Sequence, residues 1–336
     1  MKKALLIIVP VIVLLAIIGL LTFSRNQNKP KINLKPAVVV SKIKLGYLTK
    51  GTIRLLVAVA DKKGFFDKNN VKVEIQGIDT AIATTLLSKQ VDAVIDLPST
   101  FLLARANGAD IIEVGEVTND YPFLLISNPK DASGIRSIGV PRIGGEPYLK
   151  ALEILKILNI NPSSINFQAT GSGPSSAVLL KNGKVDAVME SSLDWAVLSE
   201  EKFFTDEPKI IFNTTSDKNL RNPNVLVVSK DSLKNNPKGI ENFSKALIEA
   251  NNWIRSAKDE ELAKIMSDFG KMEEVRIRAI SKVYKESLQG LKFEPDVKTI
   301  EAIAKSLAEL KDKNFDADSF VSMEIFKSLK NSKFIK

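Results

Sequence analysis

The chemistry open to this sequence is bounded first by what it lacks. Its 336 residues include no cysteine and no histidine, which excludes disulfides, thiolate nucleophiles, Cys/His zinc sites and His-based catalytic triads. What remains are carboxylates, hydroxyls, lysines and backbone amides, and these gather where short apolar runs end. In the first half the clusters are the turn Thr49-Lys50-Gly51-Thr52, then Asp79-Thr80, then Asp96-Leu97-Pro98-Ser99-Thr100. The second half has Gly144-Gly145-Glu146, Gly171-Ser172-Gly173 with Ser175-Ser176, and Glu190-Ser191-Ser192. Free amides and Lys50 suit the acceptors of an anionic group, whereas Asp79, Asp96, Glu146 and Glu190 suit donors or a cation. This is the chemistry of reversible recognition, with no catalytic residue, metal or cofactor expected.

Each position also has a plainer role. Thr52, Thr80 and Ser175 suit helix N-caps, Gly171 and Gly173 suit turns, and Asp79 or Glu146 could answer a helix dipole. The Gly-Ser-Gly segment is too short for a dinucleotide fingerprint and serves as a loop that can donate amides. Trp195 and Tyr121 could stack on a ring or belong to a core; Phe65 and Phe66 read as capping a hydrophobic core.

The elements that must position these clusters echo one another at an offset of 93 or 94 residues. IKLGYLTKG, Ile43 to Gly51, answers SIGVPRIGG, Ser137 to Gly145, and each leads into an amphipathic helix, Thr52 to Lys63 and Pro147 to Leu158. VDAV recurs at 91–94 and 185–188, the first copy leading to Asp96 and the second to Glu190, with Gly77 and Gly171 at the same offset upstream. Alternating strand and helix signals predict two similar α/β lobes with largely parallel sheets. VLVVS, Val225 to Ser229, reads as one returning strand before a helical tail. The expected division is 43–126 with 222–336 as lobe I and 127–221 as lobe II, hinged at two crossings. Ligands of open parallel sheets sit beyond the carboxyl ends of strands, so the clusters above should line one cleft.

Before the lobes, Met1-Lys2-Lys3 precedes twenty uncharged, mostly aliphatic residues, Ala4 to Phe23. As a helix these span roughly 30 Å, one bilayer core. The sequence therefore predicts an N-terminal transmembrane helix, an uncleaved anchor (1–24) or signal peptide, followed by a Lys/Asn/Pro-rich tether (25–42). A long domain after a short N-terminal tail favours the outer face of the membrane. The net charge of +9 comes mostly from scattered lysines, a solvated surface and not a nucleic-acid groove.

GY followed by a helix, GFFDKNNVKVE, the acid-Leu-Pro-Ser-Thr loop and GKVDAVMESS together resemble the substrate-binding proteins of transporters for sulfonates, nitrate, taurine and thiamine-pyrimidine precursors, the NMT1/THI5-like family, over roughly residues 43 to 285. The resemblance implies a type II periplasmic-binding fold that closes on a small solute and delivers it to an ABC permease, as a monomer. Where relatives often carry an aromatic-acid-Pro-Phe segment, this chain has Ser191-Ser192-Leu193-Asp194, which unsettles the usual ligand classes. A zwitterionic or heterocyclic metabolite would satisfy both acids and amides. Two other functions fit the same clamp: a ligand-sensing ectodomain, and a same-fold enzyme with Asp96 and Glu190 as general acid and base.

Overall fold

The computed structural model describes residues 40–335 apart from 80, 129–130, 308–309 and 311–314. The expected membrane helix, with the tether up to residue 39, and Thr80 lie outside the described residues. Among those described, no helix is long and apolar enough to cross a membrane.

The first half runs β1 (Ser41–Leu48), α1 (Ile53–Lys62), α2 (Phe65–Lys68), β2 (Val71–Ile78), α3 (Ile82–Leu87), β3 (Ala93–Asp96), α4 (Ser99–Ala106) and β4 (Ile111–Glu116). β1 begins inside the expected tether, because Ser41 and Lys42 already pair with Val71 and Lys72. The next segment runs β5 (Phe123–Ser127), β6 (Ser137–Val140), α5 (Glu146–Ile157), β7 (Asn166–Ala169), α6 (Pro174–Lys181), β8 (Ala187–Ser191), α7 (Ser192–Glu200) and β9 (Lys209–Asn213). The chain then returns through β10 (Val225–Ser229) into α8 (Lys230–Asn235), α9 (Pro237–Ser256), α10 (Asp259–Phe269), α11 (Glu274–Ser287), α12 (Val297–Ser306) and α13 (Glu324–Asn331).

Two five-stranded sheets result, ordered β2-β1-β3-β10-β4 and β7-β6-β8-β5-β9. The internal echo is realised as β2-β1-β3 against β7-β6-β8, parallel in both sheets. In each sheet the next strand is one delivered by a crossing, and it is antiparallel: β10 against β3, and β5 against β8. Burial of both faces explains why these strands read as unbroken apolar runs. One face of the first sheet, with Ile43, Leu45, Leu226 and Val228, packs on α1, α9, α10 and α11. Its other face, with Val94, Val225 and Val227, packs on α3, α4 and α12. The second sheet is covered by α5 on one side and by α6 and α7 on the other. Each fully buried Leu or Ile adds about 1.5–3 kcal/mol. Phe66 stacks on Phe243 of α9 at 5.7 Å, the core-capping role its sequence position suggested.

The chain passes between sheets at 117–122 and 214–224, and the two crossings are fastened to each other. Val117 and Tyr121 donate backbone bonds to Asn224 and Asn222, both at 2.8 Å. The Asn222 amide bonds Asp120 at 2.8 Å and the Asn224 amide bonds the Thr118 hydroxyl at 2.9 Å. Beside them Arg221 forks onto Glu116, Nη1 to Oε2 at 2.7 Å and Nη2 to Oε1 at 2.8 Å. Its Nη2 also reaches Asp296 at 3.1 Å. Burial holds the Glu116 carboxyl up at about 7 in spite of this cation, and pushes Glu113, fully buried on the same strand, well above the usual range.

Replacing Arg221 by Ala leaves that buried acid group without its guanidinium. A loss of roughly 3 kcal/mol is expected, read by urea unfolding of the full chain, and a loss below about 1 kcal/mol would show that the clasp does not hold the crossings.

Candidate ligand-binding site

The carboxyl ends of the central strands face each other, and the loops there carry most of the predicted residues. Asp96 ends β3 and accepts from the Thr100 hydroxyl at 3.0 Å. Burial lifts its carboxyl to about 6; the Leu97 amide and Thr100 pull it down, and Glu146, facing it from the start of α5, raises it further. Glu146 is itself raised by burial, partly offset by Lys150 at 3.9 Å and the facing Ser99 hydroxyl. Asp96, Ser99, Thr100 and Glu146 thus lie near one another.

Glu190 occupies the next strand end. It is 1% exposed and accepts from the Gly173 amide at 3.1 Å and from the Ser176 hydroxyl. Burial raises it to about 8, with Asp194 adding to the effect, so it is mostly protonated at neutral pH. Gly173 sits at φ +59°, a left-handed backbone that turns its amide toward Glu190 at little cost only without a side chain. The loop that sequence reading took as an amide donor does donate, to a protein carboxyl.

Asp194 joins the two halves. Ser191 caps α7 by accepting from the Asp194 amide at 3.1 Å and donates to its carboxylate at 3.0 Å. Across from it, Arg276 of α11 lies 3.7 Å from Asp194 Oδ1 while donating to the Lys50 carbonyl at 3.1 Å. One guanidinium therefore touches the β1 turn and the segment after β8. Arg54, in the first turn of α1, donates to the Thr49 carbonyl at 3.4 Å and lies over the Phe269 ring at 5.6 Å. Tyr121 lies against Ser191, its phenol pushed up by burial and by Asp194.

The other predicted residues differ in burial and bonding. Asp79 is exposed and bonds the Thr49 hydroxyl at 2.5 Å. Thr52 is buried but makes no side-chain cap bond. Gly51 lies in the β1 turn, Pro98 is buried at the start of α4, and Gly145 precedes α5 as its cap. Gly144, Ser172 and Ser175 are exposed. Ser192 and Trp195 face a separate cavity of about 960 Å³ along the crossings, between α7 and α11, lined also by Asp120, Arg221 and Glu286. Trp195 otherwise packs in the core against Phe204 at 5.7 Å. Among the described residues no group of three or more acids is arranged to hold a metal ion.

Sequence reading missed Arg54, Lys150 and Arg276 and treated Asp194 only as a departure from a pattern. Lys150 gave a misleading signal: spaced four after Glu146 and three before Glu153, it looks like a surface pair, yet it is 2% exposed.

Two α/β units whose strand-end loops converge, linked by two antiparallel crossings, define the periplasmic-binding-protein fold. The chain belongs to the NMT1/THI5 like family, which matches residues 55–261. The chain is similar to the periplasmic aliphatic sulphonate binding protein SsuA of Escherichia coli, at 12% identity and TM-score 0.66, over 84% of this chain and 92% of that one. It is similar to a zinc-bound ligand binding component of an ABC-type import system from Staphylococcus aureus, at 16% identity and TM-score 0.65, over 85% and 98%. A third likeness is to the periplasmic nitrate-binding protein NrtA of Synechocystis PCC 6803, at 15% identity and TM-score 0.62, over 88% and 89%. No curated protein matches the sequence.

Because the folded Glu190 binds its proton more tightly than the unfolded chain does, its contribution to stability falls as pH rises from about 4.5 toward about 8. Melting temperature should decline over that window, and Glu190→Gln, which keeps an uncharged acceptor for Gly173, should flatten the decline. Parallel melting curves for the two proteins would refute an elevated Glu190.

Proposed function

We propose that this protein is an extracytoplasmic solute-binding protein that closes two lobes on a small polar organic metabolite and passes it to an ABC permease. The lobes are those built on the two sheets, which puts their first border a few residues before 126, and we take the fold as its type II form. The observation that carries this reading is the bridge made by Arg276, one side chain in contact with the β1 turn and with Asp194 after β8. A residue that touches both units where their strand ends meet is placed to couple ligand contact to closure. Family membership and the likeness to the Staphylococcus aureus component of an ABC-type import system support the same reading. The ligand is a sulfonate, a nitrate-like anion or a heterocyclic or zwitterionic precursor, lying among Lys50, Gly51, Thr52, Asp79, Thr80, Asp96, Pro98, Ser99, Thr100, Gly144, Gly145, Glu146, Ser172, Gly173, Ser175, Glu190, Ser191 and Ser192. To these we add Tyr121, Asp194 and Arg276. The apolar run Ala4 to Phe23 would hold the clamp at the outer membrane face.

Mass spectrometry of small molecules released from the purified full chain identifies the ligand. With it, Arg276→Ala is expected to weaken binding at least tenfold, about 1.4 kcal/mol, by calorimetry. Ligand is expected to shrink the particle in small-angle scattering, and an unchanged radius would sink the closing clamp.

A further inference from the structure

Three carboxyls gather around one ammonium at the start of α5, and a fourth faces one of them. Lys150 bonds Glu153 Oε2 at 3.2 Å and approaches Glu146 Oε1 only to 3.9 Å. Asp120, on the first crossing, is also stabilised by that ammonium. Asp96 faces Glu146 from the end of β3, with Tyr121 beside it. The Glu146 side chain is 8% exposed, neither of its carboxylate oxygens closes a hydrogen bond of ordinary length among the described residues, and the facing Ser99 hydroxyl and the Lys150 ammonium at 3.9 Å leave its carboxyl raised by burial. A buried carboxylate short of donors is costly, and the Ser99 hydroxyl and a cation at 3.9 Å offset that cost only in part.

The two acids are also carried by different sheets, Asp96 by the first and Glu146 by the helix that follows β6 of the second. When both are ionised, bringing the sheets' ends together opposes like charges. A cation between them converts that repulsion into charge-assisted hydrogen bonds on both sides. An anion in the same place would add to the repulsion.

We propose that Asp96 and Glu146 form the receptor for a protonated nitrogen of the ligand, an ammonium or amidinium group, each sheet contributing one carboxyl. This rests on the solute-binding reading and narrows it: the metabolite carries a basic nitrogen, while its acceptor-bearing part faces Arg276 and the Lys50 turn. A simple sulfonate or nitrate ion lacks the group that these acids select.

The test is thermal unfolding of the detergent-solubilised full chain in methylammonium chloride against sodium chloride at equal ionic strength and neutral pH, with sodium ethanesulfonate as a third arm. Methylammonium is expected to raise the melting temperature above the sodium control by about 2 °C or more. The rise is expected to vanish in both Asp96→Asn and Glu146→Gln, one substitution on each side. Equal melting in the two chloride salts overturns the proposal, as does a rise that persists in both variants. A shift with ethanesulfonate alone overturns it while leaving the clamp standing. Failure of the clamp shows separately, as an unchanged scattering radius with the co-purified ligand.

Discussion

Backbone that leaves one sheet for another must find hydrogen-bond partners outside any ladder, and here the two crossings find them in each other. Val117 and Tyr121 bond Asn224 and Asn222, and the side chains of Thr118 and Asp120 close the remaining amides. That mutual fastening sets the spacing of the sheets at one edge and lets their strand ends meet at the other. It also fixes the direction of the strands that follow: β5 and β10 enter antiparallel to β8 and β3 because each is handed over by the other unit. The Arg221 fork on Glu116 adds charge to the same place, next to a Glu113 whose carboxyl burial pushes well above the usual range.

The site is dominated by desolvation. Asp96, Glu146 and Glu190 are all raised mainly by burial, and the bonds from Thr100, Ser176 and Gly173 only moderate this. Carboxyls in such surroundings act as donors or acceptors according to protonation, so one strand end can offer a neutral acid while its neighbour offers a charge. Arg276 supplies the opposing sign from a helix on the far side of the sequence, 226 residues beyond Lys50.

Much of this was legible beforehand, for physical reasons. VLVVS is strand over the predicted residues because a β-branched run fully buried in a sheet has no polar face to misread. The echo of VDAV located Asp96 and Glu190 because strand ends in such sheets are fixed by topology. Strand direction was not legible, since an antiparallel buried strand has the same composition as a parallel one. Arg276 carried no local signal, as its partners lie on two other elements. Ser192 was placed with the cleft because it follows Glu190; α7 starts at that residue, which also lines the cavity along the crossings.

The place of β10 in the first sheet bears on how the protein is made. It lies between β3 and β4, bonded to both, yet it is the last of the described strands in the sequence. The second sheet has all its described strands once residue 213 is available, whereas the first has a gap between β3 and β4 until residue 229 arrives. In a chain emerging from its N-terminus the second sheet can therefore be complete while β3 and β4 still wait for the strand that joins them, two unpaired edges open to whatever escorts the nascent polypeptide.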